Sequence, residues 1–188
     1  MSDEVEQEIA NNSYGEYQGG DTLQIQRFLP GSIERVWQYL TDSKLRSQWL
    51  ASGEMLPAVG SEFELTWRND ELGANAKQAS GEVDSECAVE EHCMSSRITV
   101  WEPPRLLAFS WDGSGDVSIE LEERGGEVLL TLTHRKLPDS GTMIGVSAGW
   151  HAHLDLLGAT LCDAPAEPFW DSYARLKASY EQRVAEIR

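Results

Sequence analysis

Apolar residues recur along this chain with two different periods, and the switches between them mark out its elements. Between residues 142 and 162, Met143, Val146, Trp150, Leu154, Leu157 and Leu161 follow one another at steps of 3, 4, 4, 3 and 4, the spacing of one face of an α-helix. A helix of about 20 residues is about 30 Å long, so its buried stripe needs a partner equally wide, and a sheet is the expected one. Strand patterns fill much of residues 14 to 134. Tyr14 to Tyr17 and Thr22 to Phe28 flank the turn-prone Gln18-Gly19-Gly20-Asp21 and predict an opening hairpin. Phe63, Leu65 and Trp67 alternate with polar residues, as do Val117, Ile119 and Leu121, and Val128, Leu130, Leu132 and His134. Ile98 to Trp101, stopped by Pro103 and Pro104, and Leu106 to Trp111 complete a run of antiparallel strands.

Two short helices interrupt the strands. Ser32 is a good N-cap for Ile33, Val36, Trp37 and Leu40, and Asp42 can cap a second helix over Ser43 to Leu50. Residues 69 to 96 are polar and weakly patterned, with one or two ragged strands expected through Val83, Cys87 and Val89. A last helix, Phe169 to Ile187, carries Trp170, Tyr173, Leu176, Tyr180 and Val184 at helical spacing and is expected on the outside of the domain. Residues 1 to 13 are acidic and amide-rich, without periodicity, and read as a flexible tail. The expected fold class is therefore α+β, with a curved antiparallel sheet closing around a long C-terminal helix and one domain spanning residues 14 to 188.

Composition narrows the partners. A formal charge of −17, from 32 acids against 15 lysines and arginines, repels nucleic acid and anionic lipid. No leader-like N-terminus or long apolar run is present, which predicts a cytoplasmic protein that does not span a membrane. Three cysteines, Cys87, Cys93 and Cys162, give no disulfide pattern.

The order hairpin, helix pair, antiparallel strands and long helix is the helix-grip layout. With LPGSIERVWQYLTDSKLRSQWL (29 to 50), VWEPPRLLAFSW (100 to 111), EVLLTLTHRKLP (127 to 138) and GWHAHLDLL (149 to 157), the chain resembles the activators of heat-shock protein 90 ATPase, homologue type. These belong to the START-like, Bet v 1-like SRPBCC superfamily. The stretch 69 to 96 departs from that family in being longer than the hairpin usual there. The resemblance implies a range of roles: lipid carriers, drug-sequestering proteins, polyketide cyclases and co-chaperone domains share the fold, and fold alone does not choose among them.

The residues themselves favour a binding role. A sheet curled around a helix leaves an apolar interior, and the chain carries seven tryptophans. Trp37, Trp49, Trp67, Trp101, Trp111 and Trp150, with Phe109, Leu130, Leu154 and Leu157, are the candidate lining, although the same residues would serve equally to fill a core. Trp150 is expected to face Phe109, Trp111 and Leu130. Strand alternation turns His134 and Arg27 inward, where either would orient a ligand's carbonyl or carboxylate unless it reaches solvent at a strand end. His151 precedes Asp155 by one helical turn and predicts a contact between them. His151 and His153 point about 200° apart and cannot share a metal, and Cys87, His92 and Cys93 lack paired zinc-ligand spacing, so no metal or cofactor is expected. No catalytic motif is present. The leading expectation is a carrier of a small apolar or aromatic ligand, with a chaperone-binding domain and a cyclase or hydrolase as alternatives.

Overall fold

Capping and alternation place the elements largely where the pattern predicts them. A computed structural model describes residues 13–73, 91–111 and 115–186. Strands β1 (Glu16–Gln18) and β2 (Thr22–Pro30) form the opening hairpin, with Tyr17 opposite Leu23. Ser32 caps α1 (Ile33–Thr41) by accepting from the Arg35 N–H, and Asp42 caps α2 (Ser43–Arg46) by accepting from the Leu45 N–H. Helix α2 is shorter than expected. Gln48 and Trp49 donate to carbonyls three residues back, Leu45 and Arg46, so the chain tightens into a turn that sets Trp49 inside the core, fully buried.

Five more strands complete the sheet: β3 (Glu62–Trp67), β4 (His92–Glu102), β5 (Leu106–Trp111), β6 (Gly115–Arg124) and β7 (Glu127–Arg135). The order is β1-β2-β7-β6-β5-β4-β3, antiparallel throughout. The sheet curves around the long helix α3 (Ser140–Leu161) without closing, since β1 and β3 are its two edges; this corrects the expectation of closure. Strand β4 begins well before Ile98. Its inward positions are Met94, Ser96 and Ile98, all buried, and a serine in the middle of the inward row hides the alternation. Val83, Cys87, Val89 and the acidic tail through residue 12 lie outside the described residues.

Helix α3 is buried on more than one stripe. Besides Leu154 and Leu157, both at 0% exposure, it buries Ser147, Ala148, His151, Ala152 and His153. The cause is the last helix, α4 (Phe169–Glu186), which packs along it through His151 against Tyr180 and His153 against Phe169. Val146, counted in the stripe, is only half-buried. No helix among the described residues is long and apolar enough to cross a membrane.

A tight spot lies after α2, where the chain passes β3. Gly53 has φ +138°, and a Cβ there would collide with the Glu64 carbonyl oxygen, so only glycine fits. Its own carbonyl accepts from Arg46, a buried side chain whose Nη1 also donates to the Leu40 and Thr41 carbonyls at the end of α1. Burial lowers the Arg46 guanidinium to about 10, with Glu54 and Asp42 opposing the shift.

Candidate functional site

Near the β3 edge the sheet and the two long helices diverge and leave a cavity of about 500 Å³. Its sheet wall is Trp67 of β3, His92 and Met94 of β4 and Trp111 of β5; its floor is Gly145, Val146, Gly149, Trp150 and His153 of α3. Phe169, Trp170 and Tyr173, from the first turns of α4, cover it, and Asn69, Asp70 and Glu91 stand at its rim. The gap follows from α3's own sequence. Gly145 and Gly149 lie four residues apart on one face, and a Cβ built on Gly149 meets nothing within 4 Å.

The aromatic rings are held rather than loose. Trp111 meets Trp67 edge-on at 5.7 Å between centroids and meets Trp150 at a tilt of 51°, 5.2 Å away. The Trp150 indole N–H donates to His134 Nδ1 at 3.1 Å, so the His134 proton sits on Nε2. The His134 ring lies behind Trp150 and Trp111, 1% exposed, and burial lowers its pKa to about 4. Gly115 gives it room, since a Cβ there would stand 3.0 Å from Nε2.

His153 reaches the cavity from the helix. Its Nδ1 lies 2.7 Å from the Trp49 carbonyl oxygen, an acceptor, so Nδ1 carries the proton. That leaves Nε2 as a bare lone pair with no hydrogen-bond partner among the described residues, on a ring 6% exposed that stacks 4.5 Å from Phe169. Burial lowers the His153 pKa to about 4, with the Trp49 carbonyl opposing the shift. At the rim the Trp170 indole donates to Asp70 Oδ1 at 2.6 Å, and Glu91 pairs with Arg68 at 2.6 Å. The Asn69 side-chain oxygen is buried without a hydrogen-bond partner.

Of the candidates read from the sequence, Trp67, Trp111 and Trp150 line this cavity, and His134 backs it. The others lie elsewhere. Trp37 and Trp101 pack edge-on together at 5.4 Å, and the Trp49 indole donates to the Tyr39 carbonyl. Phe109, Leu130, Leu154 and Leu157 are core. Arg27 and His151 occupy the opposite flank of α3. Arg27 is buried, not at solvent, and donates to Asp155 Oδ1 at 3.1 Å and to the Ser13 and Gln26 carbonyls. His151 Nε2 lies 3.5 Å from Asp155 Oδ2, the contact its spacing predicts. Burial, then Arg27, Arg175 and Arg183, hold His151 down at about 3, so that contact sets a neutral ring beside the carboxylate and is not an ion pair.

Sequence reading missed the glycine pair, the rim residues, His153 and the start of α4. A glycine pair four apart on an apolar helix, and the Phe169, Trp170, Tyr173 set, were the available signals. His92 and Cys93 are neighbours on a strand and face opposite ways; His92 lines the cavity while Cys93 touches Thr66. Among the described residues no group of three histidine, cysteine or acidic side chains is placed to hold a metal. A second cavity, about 540 Å³, lies across Leu50 between Thr66, Arg68 and the end of α3; it has no aromatic wall.

Comparison with known proteins agrees with this architecture. A protein encoded by gene BPP1335 of Bordetella parapertussis, solved in solution by NMR, is 36% identical, with 92% of this chain and 91% of that one covered and a TM-score of 0.72. CalU16 from Micromonospora echinospora is 21% identical over 86% of each chain, at a TM-score of 0.61. DynU16, from the dynemicin biosynthetic locus, is 15% identical over 77% of this chain and 49% of its own, at a TM-score of 0.59; the last two show the fold alone. No curated protein matches the chain. The family model for activator of Hsp90 ATPase homolog 1-like proteins matches residues 30–162, which include five of the seven strands and all of α3, and the chain belongs to that family.

Proposed function

We propose that this protein binds a small apolar or aromatic molecule in the cavity between the β3 edge of the sheet, α3 and the start of α4. The observation that carries this reading is a 500 Å³ space walled by Trp67, Trp111 and Trp150, which packing alone would have filled. A planar guest there gains about 25 cal/mol per Å² of apolar area removed from water. The presence of DynU16 in a biosynthetic locus supports small-molecule handling by relatives of this fold. Three histidines stand at or behind the wall, His92, His134 and His153; His134's Nδ1 is committed to Trp150 and His153's Nδ1 to the Trp49 carbonyl, and no catalytic role is assigned to them.

The test is a titration of polycyclic aromatic compounds against intrinsic tryptophan fluorescence. Quenching with Kd in the micromolar range is expected, and Gly149→Phe, which places a ring in the empty floor, is expected to weaken binding at least about tenfold while the protein keeps its circular dichroism spectrum. Wild-type affinity in a folded Gly149→Phe variant would show that ligands do not enter here.

A further inference from the structure

The charged side chains that the described residues bring to the same cavity, Asp70 and Glu91, are both carboxylates, and that asymmetry selects a class of ligand. His153 is 6% exposed, its ring packed on Phe169. Its Nδ1 proton is taken by the Trp49 carbonyl, which leaves the Nε2 lone pair as its remaining polar atom on a residue that lines the space. Asp70 offers a carboxylate at the rim, with Oδ1 engaged by the Trp170 indole. Glu91 adds a second carboxylate, whose charge is shared with Arg68. Among the described residues no lysine or arginine lines the cavity. The buried Arg27 is bound to Asp155 on the other flank of α3, and the buried Arg46 is bound to backbone carbonyls. Around these acceptors stand the faces and edges of Trp67, Trp111, Trp150 and Trp170, whose π-clouds attract cations.

We infer that the ligand of this cavity is a protonated amine carried on an apolar or aromatic body, its N–H groups directed to His153 Nε2 and the Asp70 carboxylate. This rests on the binding reading given above and adds the sign of the ligand's charge. A carboxylate ligand would meet Asp70 and Glu91, with no cation among the described lining residues to receive it. A pure hydrocarbon would seal the His153 lone pair away from water without a donor, which costs binding. An ammonium satisfies the lone pair, the carboxylate and the indole faces together.

Three probes of matched shape separate the cases: 1-naphthylmethylamine, 1-naphthylmethanol and 1-naphthoate, titrated calorimetrically at pH 7.5. The amine is expected to bind at least about tenfold tighter than the alcohol, with naphthoate the weakest. Because the whole chain is acidic, the preference must be localised. Asp70→Asn keeps an acceptor for the Trp170 indole while removing the charge, and is expected to cut the amine's advantage over the alcohol to below about threefold with the alcohol's Kd unchanged. Glu181→Gln, an equal change of net charge on the exposed side of α4, is expected to leave the advantage intact. Naphthoate binding as well as the amine, or an advantage that survives Asp70→Asn, overturns the inference while leaving the cavity a binding site. Failure of all three probes to bind overturns both readings.

Discussion

Three of the four histidines, His134, His151 and His153, occupy positions where a proton would destabilise the fold. Burial lowers them to about 4, 3 and 4 respectively, against about 6.5 in an unfolded chain. Between those values the unfolded state binds protons that the native state does not, so stability rises with pH across this window and is lost as pH falls from about 6.5 toward 4. Asp155, whose carboxyl is pushed up by burial despite Arg27, acts in the opposite sense, as one group against three. Urea denaturation at pH 7.5, 6.5 and 5.5 is expected to show little change over the first step. The second step should bring a clear fall, limited to about 1.4 kcal/mol per pH unit for each histidine. A midpoint that is flat from pH 7.5 to 5.5 would mean that these rings accept protons in place. The Trp150 indole would then lose its acceptor on His134, and the indole wall would not be fixed as described.

At the scale of elements, α3 is the member on which everything else rests, and Leu154 is its centre, fully buried within the core that also holds Leu130 and Leu132. Leu154→Asp would bury an unpaired charge, a change that typically costs several kcal/mol and exceeds what a marginally stable domain tolerates. Loss of the cooperative melting transition is the expected result; a wild-type melting curve would mean that α3 is not gripped by the sheet. This helix also shows where sequence legibility ends. The period of Met143, Trp150, Leu154, Leu157 and Leu161 revealed the face turned to the sheet, and the capping residues Ser32 and Asp42 and the proline stop after β4 revealed most boundaries, because each acts locally. Outside that stripe α3 also buries Ser147 and His151 on one flank and His153 on another, polar residues whose burial depends on distant partners: Tyr17 for Ser147, Tyr180 of α4 for His151 and Trp49 for His153. Residue spacing cannot show such pairings. The cavity was only partly legible for a related reason: three of its indoles could be read as inward-facing, but an empty space is produced by what is missing, at Gly145 and Gly149, and by α4 arriving over it.

For the whole molecule, α4 joins parts that the sheet alone leaves separate. Its first turns cover the cavity, where Phe169 donates its N–H to the Leu72 carbonyl and Trp170 binds Asp70. Three turns further on, the fully buried Tyr180 accepts from the Gly15 N–H at 2.8 Å and lies 3.0 Å from His151 Nδ1, to which its proton is the natural donor. Tyr14 packs edge-on against both rings, and the Arg183 guanidinium lies 3.9 Å over the Tyr14 ring. One end of α4 thus holds the strand edge at β1 and the other roofs the cavity near β3, the opposite edge of the open sheet. Tyr180→Phe keeps the ring but strands the Gly15 N–H and the His151 lone pair, which should cost about 1 to 3 kcal/mol. The urea midpoint should fall with the m-value unchanged. Because Phe169 is anchored by Leu72 and His153, Trp170 by Asp70, and Tyr173 by packing on both rings, the affinity for 1-naphthylmethylamine should stay within about twofold of wild type. A large loss of affinity in a folded Tyr180→Phe variant would instead show that the roof is held from the far end of α4, and that ligand binding and the docking of β1 are coupled through this one helix.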